Sequence, residues 1–227
     1  LSVGDLVLIK GSAAARMEHL TAALMAHPEE AEQKLPRQNR GWQAVRLHRP
    51  GRPTWVEIDM GAIANNTRLT LDRLSPGVQL MAVLKADAYG HGARRVARTV
   101  LHNGATWLGV ACLGEAVELR QAGIGAPILN LGYTPPWQAR EAVRHDVACT
   151  VFSVEVIQAL ARAARDLGKV ATVHVKVDTG MGRLGVLPEE VLDLVRQISS
   201  MPGILLQGLF SHLAAADEDD PSYTDLQ

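Results

Sequence analysis

Leu80-Met81-Ala82-Val83-Leu84-Lys85-Ala86-Asp87-Ala88-Tyr89-Gly90-His91-Gly92 is the stretch on which the fold turns. Its first five residues form an unbroken apolar run, which reads as a buried strand. Its end, Tyr-Gly-His-Gly, reads as a loop whose glycines permit tight turns and close approach to a ligand. Lys85 stands between the two, at the carboxyl end of the strand. In α/β folds that end is where ligands bind. A lysine held there among apolar groups loses its proton readily and can form a Schiff base with an aldehyde cofactor. A strand-end lysine pointing into water is the commoner arrangement, so the rest of the chain has to decide.

Outward from this stretch the chain alternates strand and helix. Short apolar runs predict strands near 79–84, 107–111, 127–131, 148–152, 171–177 and 204–210. Helices are expected near 91–103, 114–122, 136–145, 154–167 and 188–199. Gly104, Gly123 and Gly168 stand just past helix ends, and Ser153 stands where a cap is wanted. The strands are mostly non-alternating, as in a parallel sheet covered on both faces. Upstream, Trp55-Val56-Glu57-Ile58 alternates like a half-exposed strand, and Asp59 can cap a helix to about Leu74. The repeat, roughly 20–30 residues per unit, fits an α/β fold of the (β/α)8 type, a TIM-type barrel. Six of its eight strands are expected here. A doubly wound open sheet is the alternative, but no G-x-G-x-x-G follows the first strand.

Residues 1–35 read differently. Asp5 to Lys10 is a short strand, Gly11-Ser12 a turn, and Ala13 to Ala26 has helix composition. One strand and one helix cannot bury a core alone. Residues 36–53, rich in arginine with Pro36, Pro50, Pro53, Gly41 and Gly51, read as a linker before a domain over 54–227.

Composition excludes several classes. Net charge is −1 over 227 residues, with 47 % hydrophobic and 21 % charged residues. That balance argues against a nucleic-acid or membrane-surface partner. Aromatic content of 4 % argues against a base-stacking surface. Cys112 and Cys149 lie in apolar runs and read as core residues of a reducing, cytoplasmic compartment. No membrane span or signal peptide is expected. Eight histidines follow no zinc pattern, so no metal is expected. The acidic run Asp217 to Asp220 reads as a solvated loop. No phosphate loop of the G-x-x-x-x-G-K-[S/T] type occurs. The chain begins at Leu1 and reads as a piece of a longer protein.

Two further stretches carry chemistry. In His174-Val175-Lys176-Val177-Asp178-Thr179-Gly180-Met181-Gly182-Arg183-Leu184-Gly185, alternation places Thr172, His174 and Lys176 on one face of a strand. A lysine facing a barrel interior is costly unless paired or neutralised. The glycines can swing Arg183 over the strand end, where a guanidinium suits a carboxylate or phosphate. A Lys176–Asp178 surface pair with a plain connector explains the same residues. The second stretch, Gln207-Gly208-Leu209-Phe210-Ser211-His212-Leu213-Ala214, puts His212 at the same end as Lys85 and Arg183.

Together these three motifs resemble the alanine racemases. Lys85 to Gly92 looks like their pyridoxal-phosphate attachment motif, Asp178 to Gly185 their second signature, and Gly208 to Ala214 their third. The resemblance runs from about Pro53 onward. It implies a pyridoxal 5'-phosphate barrel that interconverts L- and D-alanine for peptidoglycan precursors, working as a homodimer. Lys85 would carry the cofactor and act as base on one face. Tyr89 would bind the cofactor phosphate, and His212 would sit beside the ring. Lys176 would be a carbamate steadying Arg183, which would reach the substrate carboxylate. The second base, a tyrosine, would come from a C-terminal β-domain absent here, so this piece alone is expected to be inactive. Another pyridoxal-phosphate barrel, such as a broad-specificity racemase or decarboxylase, or a non-catalytic carrier of the cofactor, remains an alternative. Separately, Gly4 to Ser12 with Arg16-Met17-Glu18 resembles the C-terminal end of Mur ligases, in particular the D-alanyl-D-alanine-adding enzyme. That implies a bifunctional fusion.

Overall fold

The computed structural model describes residues 18–34 and 56–227. The chain divides into two compact units, residues 1–57 and 58–227. In the first, α1 (Glu18–Leu24) precedes a 3-10 turn (Pro28–Glu30) and α2 (Ala31–Lys34). The strand, turn and linker expected over 5–10, 11–12 and 36–53 lie outside the described residues. So does Trp55. Val56, Glu57 and Ile58 form no strand, contrary to expectation. A strand exists only through pairing, and the described residues offer these three none. Val56 is 80 % exposed.

The second unit opens with α3 (Met60–Leu71). One oxygen of Asp59 accepts from the Gly61 and Ala62 amides at 2.7 and 3.1 Å, the expected cap. The helix ends at Leu71 rather than Leu74. Then follow β1 (Met81–Val83), α4 (Ala93–His102), β2 (Trp107–Val110), α5 (Leu113–Gln121) and β3 (Ile128–Asn130). After them come α6 (Ala139–Arg144), β4 (Ala148–Val151), α7 (Val154–Leu167), β5 (Ala171–Lys176), α8 (Val191–Ser199), β6 (Ile204–Phe210) and α9 (Ser222–Leu226). All six strands are parallel, in the order β1-β2-β3-β4-β5-β6. This is an incomplete (β/α)8 barrel. Among the described residues β1 and β6 are its free edges.

The convex face of the sheet carries the core. Leu108, Val110, Ile128, Cys149, Val151, Val173 and Val175 pack there against Val96, Leu119, Ile157, Leu160 and Ile198 of the helices. Each such side chain contributes about 1.5–3 kcal/mol by leaving water. The concave face is wetter and lined by the other half of each alternation. Trp107 on β2 and His174 on β5 meet across it, ring centroids 5.4 Å apart at 74°. Strands three places apart touch only if the sheet curls.

Gly104, Gly123 and Gly168 end their helices with φ of 104°, 81° and 62°, the left-handed residue expected. Ser153 holds the N-cap position of α7 but makes no side-chain cap bond. At the amino end of the strands Arg120 gathers four carbonyls. It donates to His145 and Asp146 at 2.9 Å each, to Ile124 at 2.8 Å and to Ala126 at 2.7 Å. Among the described residues no helix is long and apolar enough to cross a membrane.

Candidate active site

Lys85 stands one residue beyond β1, after Leu84, where the apolar run ends. Gly90 and Gly92 turn the chain as expected, with φ of 82° and 86°, but an unexpected turn precedes them. Ala86, Asp87, Ala88 and Tyr89 are all left-handed, with φ of 52–54°. They form one left-handed turn before any glycine is reached. Each such L-residue costs about 1–2 kcal/mol, so the turn needs ties. Ala88 N donates to Leu84 O at 2.8 Å and Gly92 N to Asp87 O at 3.0 Å. The Asp87 carboxylate accepts from Ala93 N at 2.7 Å, capping α4. Glu115 of α5 accepts from Ala86 N at 2.7 Å. The turn folds Tyr89 back, so that Lys85 Nζ lies 5.7 Å from its ring centroid, within cation–π range.

Lys176 ends β5 and is 4 % exposed. It faces the Phe210 ring, Nζ to centroid 5.8 Å. Burial holds its pKa below the usual lysine value, and Arg183 lowers it further, with Asp178 opposing. The surface pair between Lys176 and Asp178 does not form. Instead the Asp178 carboxylate organises the loop after the strand. It accepts from the amides of Gly180 (3.1 Å), Gly182 (2.9 Å) and Arg183 (3.0 Å). Those amides, Gly182's foremost, hold its pKa below the usual carboxylate range. The loop closes where Asp178 N donates to Val186 O and Val186 N to Lys176 O, both at 2.9 Å. Closure requires glycine at 185: its φ is +134°, and a Cβ would stand 2.5 Å from Asp178 N.

Ser211 and His212 follow directly on β6. Ser211 Oγ donates to Val177 O at 2.9 Å and lies 2.6 Å from Thr179 Oγ1. This ties the end of β6 to the loop of β5. The His212 pKa lies below the usual histidine value, by desolvation first and then by the positive charges of Arg183, Lys176 and Lys85. Lys85 comes just after β1, Lys176 ends β5 with Arg183 in the loop that follows, and His212 comes just after β6, all parallel strands of one sheet. Lys85, Tyr89, Lys176, Arg183 and His212 thus gather at one end of the sheet, at the carboxyl ends of its strands.

Nothing local in the sequence marked Tyr223 or Gln227. Tyr223 Oη donates to Gly180 O at 2.8 Å. Gln227 Nε2 donates to Thr179 Oγ1 and His212 O at 3.2 and 3.3 Å, while its oxygen accepts from Ala214 N at 2.8 Å. A short helix after the acidic run therefore braces both loops. The signal available was the Asp220-Pro221-Ser222 turn, in which Asp220 accepts from Ser222 N at 3.0 Å.

Chemically the cluster is cationic, and the nearest carboxylate, Asp178, is occupied by loop amides. Such a site suits a ligand with more than one anionic group. An amine at the strand end adds the nucleophile for an aldehyde. The residues therefore fit a phosphate-bearing aldehyde with a carboxylate substrate.

Residues 58–227 match the family described as alanine racemase, N-terminal domain. An alanine racemase of Symbiobacterium thermophilum is 49 % identical over 176 residues, 78 % of this chain and 46 % of that protein. The chain spans about half the length of the curated relatives it matches. Among solved structures, the Bacillus anthracis alanine racemase with bound L-Ala-P superposes with a TM-score of 0.72 at 40 % identity, over 77 % of this chain and 45 % of that one. A histidine racemase from Leuconostoc mesenteroides gives 0.69 at 32 %, over 74 % and 45 %.

Proposed function

The chain belongs to the alanine racemase family, and on that premise we propose that it contributes the cofactor-binding half of a pyridoxal-phosphate-dependent racemase acting on alanine. The observation that carries this is that Lys85, Lys176, Arg183 and His212 all stand at the carboxyl ends of the parallel strands β1, β5 and β6 or in the segments that follow them. Bound pyridoxal phosphate supplies an electron sink that acidifies the substrate Cα–H. Lys85 would hold the cofactor and, once the substrate amine has displaced it, its free Nζ would take the Cα proton on one face. Tyr89 Oη donates to the phosphate. Arg183 would hold the substrate carboxylate. His212, whose pKa is lowered by desolvation first and then by Arg183, Lys176 and Lys85, would sit beside the ring.

Lys176 takes a carbamate in this reading. A buried amine whose pKa is depressed is more often neutral, and a neutral amine adds to carbon dioxide with release of one proton. The anion formed then faces Arg183 and replaces a repulsion by an attraction. Labelling with 13C-bicarbonate checks this: a carbamate carbon signal is expected in the protein and absent in Lys176→Ala.

Residues 1–35 are read as the end of a Mur ligase domain, 36–53 as a linker and 54–227 as the racemase barrel. The D-alanine made would feed the ligase's dipeptide substrate in cell-wall synthesis. The working protein would be a cytoplasmic homodimer. Among the described residues β1 and β6 are free edges, which supports little turnover by this segment alone.

The likeness to a histidine racemase supports a second reading, racemisation of a larger amino acid. Mixing the full gene product with pyridoxal phosphate and a panel of L-amino acids, followed by chiral chromatography, separates the two. Fastest loss of optical purity with alanine is expected. No exchange with any amino acid overturns the racemase reading, and preference for histidine overturns the alanine assignment.

A further inference from the structure

We propose that Glu115 is the positioning residue for Lys85, because its one carboxylate bridges the first amide after the lysine and the end of the neighbouring strand. The proposal rests on reading Lys85 as the cofactor lysine. Leu84 N donates to Gly109 O at 2.7 Å, continuing the link between β1 and β2. Two residues further along each chain the backbones do not bond to one another. Instead Ala86 N donates to Glu115 Oε1 at 2.7 Å and Ala111 N to Glu115 Oε2 at 2.8 Å. The carboxylate stands where the next rung would be.

Glu115 is the third residue of α5, whose N-cap, Cys112, makes no side-chain cap bond. An acid at this position ordinarily folds back to cap its own helix. Here one oxygen reaches back only to Ala111, and the other is free to hold a different segment. A negative charge in the first turn is also favoured by the helix dipole. The segment it holds is the start of the left-handed turn, four non-glycine residues in a conformation L-residues avoid. Such a turn relaxes when its ties are cut. Lys85 is the residue before the tied amide, so any relaxation moves the direction of its amine. Asp87 fixes the far end of the same turn, on Ala93 N. The lysine is thus placed by two carboxylates that accept from backbone amides.

The test compares Glu115→Ala and Glu115→Gln in the full chain. Hydrogen exchange at the Ala86 amide needs no cofactor and is read first. Glu115→Ala is expected to raise it about tenfold, with the amides of β5 and α7 unchanged. Glu115→Gln keeps one acceptor oxygen and falls between. Pyridoxal phosphate is then added, trapped with borohydride and located by peptide mapping. Trapping at Lys85 is expected to slow about tenfold in Glu115→Ala and recover partly in Glu115→Gln. Unchanged Ala86 exchange overturns the proposal. So does unchanged trapping, or a uniform rise in exchange across the core in Glu115→Gln, which would make Glu115 a support of the fold alone. Failure of the unsubstituted chain to trap cofactor at Lys85 sinks the cofactor reading and this proposal's purpose with it, while the Ala86 exchange still reports the tie.

Discussion

Tyr223 and Gly180 are joined by a hydrogen bond of 2.8 Å from the tyrosine hydroxyl to the glycine carbonyl. The bond links the loop that carries Arg183 to the short helix α9, beyond His212. Gln227 makes parallel links to Thr179 and His212. Arg183 is therefore positioned from two sides, by Asp178 within its loop and by α9 from outside. In the full gene product, Tyr223→Phe is expected to raise KM for alanine about fivefold, the worth of one neutral hydrogen bond, with kcat within about twofold. Steady-state racemisation kinetics check this. A fall in kcat at constant KM would show that the bond serves the chemical step instead.

Gly208 is expected to tolerate no side chain. A Cβ there would lie 2.6 Å from His174 Nδ1 and 2.9 Å from its Cε1. The imidazole cannot move away freely, because its ring meets Trp107 across the concave face. Gly208→Ala should destabilise the chain by about 1–3 kcal/mol, as overpacking does. Denaturant titration followed by tryptophan fluorescence measures it. A stability equal to that of the parent would mean the two rings repack without loss.

Acid should weaken the fold through its histidines. The pKa of His174 is held below 6.5 by burial, partly offset by a hydrogen bond with Gln207. That of His212 is lowered by desolvation and then by Arg183, Lys176 and Lys85. Each imidazole binds a proton less readily in the folded chain than in the unfolded one. Above the ordinary value both states are neutral and the full stability is present. Below it the unfolded chain takes up protons first, so stability falls until the folded pKa is passed. Denaturation midpoints at about pH 7.5 and about pH 5.5 are expected to differ, and His174→Gln to narrow the difference. Parallel losses in parent and variant would show that His174 does not drive the effect.

The two cysteines should react very differently. Cys149 is fully buried between β3 and β5, and burial pushes its thiol up to about 11, with a hydrogen bond to Thr134 pulling the other way. Cys112 is exposed at the start of α5. Iodoacetamide at about pH 8 should label Cys112 and leave Cys149 untouched in the native chain, since only an accessible thiolate attacks. Mass mapping of the labelled peptides decides it. Labelling of Cys149 at a comparable rate would mean that the sheet opens locally.

The six strands were legible from the chain because most are short apolar runs and β5 alternates apolar with polar residues, both of which are local signals. All six lie within the expected bounds, from Met81–Val83 to Ile204–Phe210. The position of Lys85 after the first strand followed from the same signal. So did the face shared by His174 and Lys176, since alternation is a local property. Cys112 departs from this pattern: its apolar surroundings predicted a core residue, yet it is exposed.

What depended on distant partners was decided by the tertiary structure. Trp55–Ile58 has the pattern of a strand, but among the described residues Val56–Ile58 find no strand to pair with. Ser153 has the chemistry of a cap but makes no cap bond. The left-handed turn at Ala86–Tyr89 contradicts the preference of all four residues. Bonds from Glu115, 29 residues away, and from Asp87 hold it. Tyr223 and Gln227 look like ordinary surface residues until the chain brings them back against Gly180 and His212. The sequence by itself determined which strands form and which residues stand at their ends, because those are matters of nearest neighbours along the chain. Only the tertiary structure decided how the lysine and the arginine are held, because that strain and those ties are set by residues far apart in sequence.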